Sequence, residues 1–166
     1  MKLQQTSTWN SYEAIELQID NDEVKSWLLE NGPITKRIKS KKEFKLQLVQ
    51  DEVSSVKKIE RAFLDSYLND IQVREVVLFG NEHPMVFART LIPVQTIQKG
   101  FAGLGEIGNK PLGDILFEKN IFTKGETVFA SFNYKNQLFW GRKTKYTVKG
   151  YPFSVMEVFL IDLNAI

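Results

Sequence analysis

Two arginines and a glutamate stand in rows of the sequence where charge is out of place. Side chains alternate along an extended run, so Arg74 shares a strand face with Val76 and Leu78, and Arg89 shares one with Met85, Phe87 and Leu91. Farther on, Glu157 keeps company with Phe153, Val155, Phe159 and Ile161, the most apolar setting of any carboxylate in the chain. A charge in such a row needs a partner, because an unpaired buried charge is too costly to keep.

Strand register decides which partners are at hand. The stretch from Val73 to Pro93 reads as two β-branched and aromatic runs joined by a Gly-Asn-Glu-His-Pro turn, a hairpin pattern. With Gly80 to Pro84 as a five-residue loop and Phe79 facing Met85, Glu75 falls opposite Arg89 and the two satisfy each other. Arg74 then faces Thr90 and has no carboxylate. Either it takes an external anion, its planar fork suiting a carboxylate or phosphate, or it carries its cationic tip to solvent. Glu157 has two readings as well. With Lys149 facing Pro152, it lies opposite Thr144 and diagonal to Arg142. It is then either a carboxylate that holds its proton tightly and serves proton transfer or a substrate hydroxyl, or a structural partner of Arg142.

The elements that must position these groups follow from pattern. Residues 1–18 are polar and weakly patterned and are expected to be a loosely docked arm on a single domain spanning 1–166. Asp20 or Asn21 caps a short helix through Glu30, with Val24, Trp27 and Leu28 on one face and Asn31-Gly32 as its stop. The five basic residues between Lys36 and Lys42 read as a solvated loop or strand edge rather than a nucleic-acid patch, since no aromatic residue is interleaved. Phe44 to Val49 alternates as a half-exposed strand, and Val56, Ile59, Phe63 and Tyr67 recur at helical spacing within the segment 53–68. Gln95 to Gly108 carries four glycines without a βαβ context, so it predicts a flexible loop with a short helical turn, not a dinucleotide site. Asn109 to Phe117 reads as a helix start with Pro111 in its first turn, where backbone N–H groups can hold an anion. Strands are expected over Glu126 to Tyr134, Leu138 to Lys149 and Pro152 to Leu160. In the second of these, Lys143, Lys145, Thr147 and Lys149 form a polar face; Trp140, Arg142, Thr144, Tyr146 and Val148 point inward. The fold class is therefore α+β, mainly an antiparallel sheet flanked by helices.

Composition narrows the chemistry. At 166 residues the chain can bury a sizeable core, and with no cysteine it has neither disulfides nor thiolate chemistry. A single histidine, His83 in the hairpin turn, leaves no means to build the usual zinc sites or a histidine-based triad. The formal charge of +2 is too small for a nucleic-acid footprint. No apolar run approaches the ~20 residues of a membrane span, and the first residues lack an apolar export core. Arginine, buried carboxylate and helix-start amides are what is left, and they suit a small polyanion.

Short motifs then bring a family into view. Trp27-Leu28-Leu29, Thr35-Lys36-Arg37, Arg74-Glu75, Gly80 with Pro84, Ala88 to Pro93, Lys110-Pro111-Leu112-Gly113, Trp140-Gly141-Arg142 and Glu157 to Leu160 occur in one order over Trp27 to Leu160. In that order and spacing the chain resembles the chorismate-pyruvate lyases. The resemblance implies a chorismate lyase-like fold with the ligand enclosed beneath flaps. It also implies a cofactor-free carbon-oxygen lyase that converts chorismate to 4-hydroxybenzoate and pyruvate, the first step toward a ubiquinone or plastoquinone head group. Carried over by motif, Arg74 clamps a carboxylate, the backbone at Leu112 and Gly113 binds a ligand oxygen, Glu157 meets the ring hydroxyl, and Ile34 covers the ligand. Arg74 and Glu157 are the catalytic pair. Ile34 stands where the family pattern has methionine, so packing changes more than chemistry. The resemblance further implies a monomer in the cytoplasm, or in a plastid stroma if the source is an alga. Its partners would be substrate and product alone, with no nucleic acid, membrane or metal. The alternative is a non-catalytic effector-binding domain of the same fold, and a related aromatic-acid lyase is a third reading.

Overall fold

Three hairpins, each closed by two residues in left-handed conformation, set the sheet. The computed structural model describes residues 1–65 and 70–161. In chain order these form β1 (Gln4–Gln5), α1 (Tyr12–Ile15), α2 (Asp22–Leu28), α3 (Ile34–Lys39), β2 (Phe44–Ser54), α4 (Lys58–Phe63), β3 (Ile71–Gly80), β4 (His83–Pro93), α5 (Leu112–Glu118), β5 (Phe122–Tyr134), β6 (Gln137–Val148) and β7 (Tyr151–Phe159). The strands make one antiparallel sheet in the order β1-β5-β6-β7-β4-β3-β2. This is the α+β, antiparallel, helix-flanked architecture expected of the sequence.

The turns correct the register in two places. Between β3 and β4 the loop is not five residues but two, Asn81 and Glu82, at φ 49 and 67. Successive positive φ values are what the right-handed twist of the flanking strands requires. Phe79 pairs with Pro84 and Leu78 with Val86, so a bulge absorbs Met85 and the pairing beyond it is the expected one: Glu75 opposite Arg89 and Arg74 opposite Thr90. Between β6 and β7 the loop is Lys149-Gly150, at φ 51 and 82. Val148 therefore faces Tyr151, and Arg142, not Thr144, lies directly opposite Glu157.

Helices cover the inner face of the sheet at both ends. Asn21 caps α2 through Oδ1, which accepts from the N–H groups of Glu23 (2.8 Å) and Val24 (3.1 Å). The basic run expected as loop or strand edge is helix α3. Ile34 and Ile38, one turn apart, are 5% and 1% exposed, while Lys36 and Lys39 face solvent. That apolar spacing outweighs the charge between. Trp27, Leu28, Ile34 and Ile38 pack on Val76, Leu78, Trp140 and Phe159. At the other end Leu104, Ile107 and Leu112 pack on Ile92, Val148, Phe153 and Val155. Gln95 to Gly108 thus holds more order than a flexible loop: a π-helical turn at Thr96–Gly100 and a 3-10 turn at Ala102–Gly105, with the Thr96 hydroxyl donating to the carbonyl of Pro152 at 2.7 Å.

The outer face is also apolar and has its own cover. The segment 53–68 is not one amphipathic helix: β2 runs to Ser54, only Lys58–Phe63 is helical among its described residues, and Ile59 is 65% exposed; Ser66, Tyr67 and Leu68 lie outside the described residues. Glu60 of α4 meets Arg89 in a fork at 2.9 and 3.2 Å, and Glu75 meets the same guanidinium at 3.0 Å. Residues 1–18, expected as a loosely docked arm, contribute the edge strand β1 and the buried Ile15, and Trp9 meets Phe132 edge-on. Lys143, assigned to a polar face, is only 7% exposed.

Gly141 marks the tightest approach in the sheet. A Cβ there would stand 2.8 Å from the buried ring of Phe132 and 2.9 Å from the carbonyl oxygen of Glu157. Gly141→Ala is expected to lower stability by about 1–3 kcal/mol, the usual cost of overpacking, read as a fall in urea midpoint at unchanged slope. An unchanged midpoint would mean that β6 and β7 give way freely at this point.

Candidate active site

Between the two apolar layers of the inner face, four strands each turn a polar residue inward. β3 contributes Arg74, β4 Thr90, β6 Arg142 and Thr144, and β7 Glu157, and all of them line one cavity. Its empty space is about 710 Å³ counting the mouth.

Arg74 is 3% exposed and is held by carbonyls, not by a carboxylate. Nη2 donates to the carbonyls of Gly108 (3.0 Å) and Lys110 (2.6 Å), just ahead of α5. Burial lowers its pKa, and Asp51 opposes that from a distance. Asp51 is itself taken by Gln72 at 2.6 Å. Nη1 has no partner among the described residues. No fully buried polar atom is left unpaired there, so this end of the fork opens on the cavity.

Glu157 is paired. Its Oε1 accepts from Arg142 Nε at 2.9 Å, while Arg142 Nη1 donates to the carbonyls of Leu28 (3.0 Å) and Glu30 (2.7 Å) at the end of α2. The structural-partner reading of Glu157 is thus realised; Oε2 has no hydrogen bond among the described residues, and the residue lines the cavity. Ile34, at the start of α3, and Leu112 and Gly113, at the start of α5, line the same space, with Gly113 3.9 Å from Pro33 at the position a Cβ would take. All five residues that the resemblance assigns to the site therefore share one cavity, whereas Arg89 does not line it. Leu112 and Gly113 sit in the first turn of α5, where backbone N–H groups have no intrahelical acceptor.

Two further groups were missed. Lys124 lines the mouth and pairs with Tyr146 across β5 and β6. Burial and then Arg142 lower its pKa, and Glu157 raises it. It was overlooked because β5 was expected to start at Glu126, leaving Lys124 in a turn. Tyr146 was read as inward-facing but given no role. Its ring stacks on Phe153 at 5.6 Å, and burial, with Glu157 adding and Arg142 opposing, pushes its pKa up to about 12. Tyr146 is therefore a hydrogen-bond donor in this cavity, not a base. His83 sits exposed at the start of β4, away from all of this.

The sheet and its inner cavity define the class. A GntR-family transcriptional regulator from Bacillus cereus matches with TM-score 0.52 at 14% identity, covering 71% of this chain and 92% of that one. The effector domain of PhnF from Mycobacterium smegmatis matches at TM-score 0.50 and 12% identity, covering 79% and 90%. At these identities the likeness is one of fold, the chorismate lyase-like α+β fold. Sequence goes further: the family described as chorismate lyase matches residues 3–164, and the chain belongs to it. A protein of Pseudoalteromonas atlantica named "Probable chorismate pyruvate-lyase" is 31% identical over 161 residues, covering 87% of this chain and 82% of that one. One from a Shewanella species with the same name is 32% identical over 154 residues, covering 82% and 80%. The chorismate pyruvate-lyase of Pectobacterium atrosepticum is 36% identical over 88 residues, covering 53% and 48%.

Removing Arg142 would strip partners from a carboxylate and two carbonyls at once. Arg142→Ala is expected to cost about 3–5 kcal/mol in urea unfolding, and Arg142→Lys to recover only part, because one ammonium cannot reproduce the fork. For Tyr146, a folded-state pKa of about 12 against an ordinary 10 stabilises the fold fully below pH 10, and that contribution is lost as pH rises through 12. Tyr146→Phe is expected to flatten the decline in urea midpoint above pH 10; an undiminished decline would place the titrating phenol elsewhere.

Proposed function

We propose that this chain is a chorismate pyruvate-lyase, converting chorismate to 4-hydroxybenzoate and pyruvate without a cofactor, as the first step toward a quinone head group. The observation that carries the reading is the convergence of Arg74 and Glu157, from β3 and β7, on one cavity. Membership of the family supports it.

In this reading the reaction breaks the ether C–O bond to the ring and removes a proton from the adjacent ring carbon. The electron pair of the broken bond leaves with enolpyruvate, which takes a proton and becomes pyruvate, while the ring becomes aromatic. The driving force lies in the substrate, so the protein chiefly orients it and balances its charge. Arg74 binds a carboxylate through the open end of its fork in ground and transition states alike. Lys124, which has no hydrogen bond or ion pair among the described residues, answers the second carboxylate. The free oxygen of Glu157 accepts the ring hydroxyl or the departing ring proton. First-turn N–H groups at Leu112 and Gly113 take a ligand oxygen, and Ile34 closes the site as an apolar cover that excludes water. The enzyme would act as a cytoplasmic monomer, with substrate and product as its only partners.

Incubating the protein with chorismate and following 4-hydroxybenzoate absorbance with coupled detection of pyruvate tests this directly. Arg74→Ala is expected to raise KM about 100-fold or more, the loss of a charge-assisted, bidentate contact. Glu157→Gln is expected to lower kcat about 100-fold while product affinity changes only a few-fold. Binding of chorismate without release of pyruvate would overturn the lyase assignment in favour of an effector-binding domain. Unchanged kinetics in either variant would remove its assigned role.

A further inference from the structure

Lys143 follows Arg142 on β6 and so points to the opposite, outer face of the sheet. It is 7% exposed, and its Nζ stands 4.1 Å from the ring centroid of Phe63 on α4 and 4.5 Å from that of Trp9. Among the described residues it makes no hydrogen bond and no ion pair. No polar side-chain atom there is sealed from solvent without a partner, so the ammonium donors open on the space beside them.

That space is a groove of about 1150 Å³ counting open solvent, between the segment Gln5–Trp9 and α4, lined by Lys143, Trp9, Ile59, Phe63 and Val128 and, on β5, by Glu126. Two aromatic faces stabilise the positive charge but fill none of its three N–H donors. The acids that act on it do so through space only: Glu60 has both oxygens on Arg89, and Glu126 is exposed on β5. Burial draws the pKa of this amine down to about 8, as befits a cation whose surroundings supply too little counter-charge. An ammonium with no protein acceptor among the described residues, open on a mainly apolar slot, is the complement of a carboxylate attached to an apolar body.

We propose that this outer-face groove is a second binding site, separated by the sheet from the cavity of Arg74 and Glu157, for a small monocarboxylate with an apolar chain or ring. The carboxylate rests on Lys143 Nζ and the body lies along Trp9, Phe63 and Val128.

Octanoate and its neutral counterpart octanamide, added to the full chain, separate this from a purely structural clamp. The readout is the indole N–H signal of Trp9, assigned with Trp9→Phe. Octanoate is expected to shift that signal saturably at millimolar concentrations, with octanamide about tenfold weaker or worse. Lys143→Met should abolish the preference for the acid, and Arg74→Ala should keep it, which excludes spill-over from the inner cavity. If Lys143→Met does not fold, the acid–amide comparison on the unaltered chain decides. Equal binding of acid and amide, no shift of Trp9 with octanoate, or a preference that survives in folded Lys143→Met would each overturn the proposal and leave Lys143 as a clamp between Trp9 and α4.

Discussion

One guanidinium, that of Arg142, ties the cavity together. The C-terminus of a helix leaves carbonyls without intrahelical donors and carries the negative end of its dipole. Arg142 meets that end of α2 at Leu28 and Glu30, and through Nε it meets Glu157 on the neighbouring strand. A single cation thus satisfies a helix end and a carboxylate together. The chain that leaves α2 at Glu30 runs directly into Ile34, so the apolar cover of the cavity hangs from the same ion pair that sets the carboxylate in its wall. Because the planar fork offers donors in fixed directions, the two ends are coupled geometrically as well as electrostatically.

Buried charge on this scale needs apolar support on both sides, and the alternation of the strands provides it. Read inward along β7, Phe153 and Val155 precede Glu157 and Phe159 follows it; along β6, Trp140 precedes Arg142 and Thr144, and Val148 comes last; along β3, Arg74 stands beside Val76 and Leu78. The inner face is therefore a polar band between two apolar layers. Each layer carries its own set of helices, α2 and α3 on one, α5 and the Thr96–Gly105 turns on the other. The cavity is the seam where neither set covers the sheet. Phe153 and Phe159, both essentially unexposed, each bury enough surface to be worth about 1.5–3 kcal/mol.

Much of this was legible because it rests on periods. Alternation fixed which residues of β3, β6 and β7 share a face, and the hairpin that joins β3 to β4 was visible in its turn residues. Register was less so: where a two-residue turn begins depends on which positions take left-handed backbone, and its shift from Gly150-Tyr151 to Lys149-Gly150 moved Glu157 from Thr144 to Arg142. The α3 helix was hidden because its apolar face is only Ile34 and Ile38, set in and before a run of five cations. Lys124 was hidden because a strand end is set by its neighbour's hydrogen bonds rather than by its own residues. The site residues carried by motif share one cavity, yet the partners of Arg74 are carbonyls of Gly108 and Lys110, and no side-chain pattern announces a carbonyl.

Arg142 and Lys143, adjacent on β6, show why the two faces of one strand solve the same problem differently. A guanidinium cannot shed its proton at any ordinary pH, so burying one is tolerable only with its donors met, and Arg142 has a carboxylate and two carbonyls. An ammonium has a second way out, because its pKa can fall until the neutral amine is within reach, and that of Lys143 has fallen to about 8. Arg142 is thus tolerated through the acceptors it meets, whereas Lys143, with no hydrogen bond or ion pair among the described residues, is tolerated because its cation can yield. The contrast separates a position built to hold another residue in place from one left with binding capacity unspent.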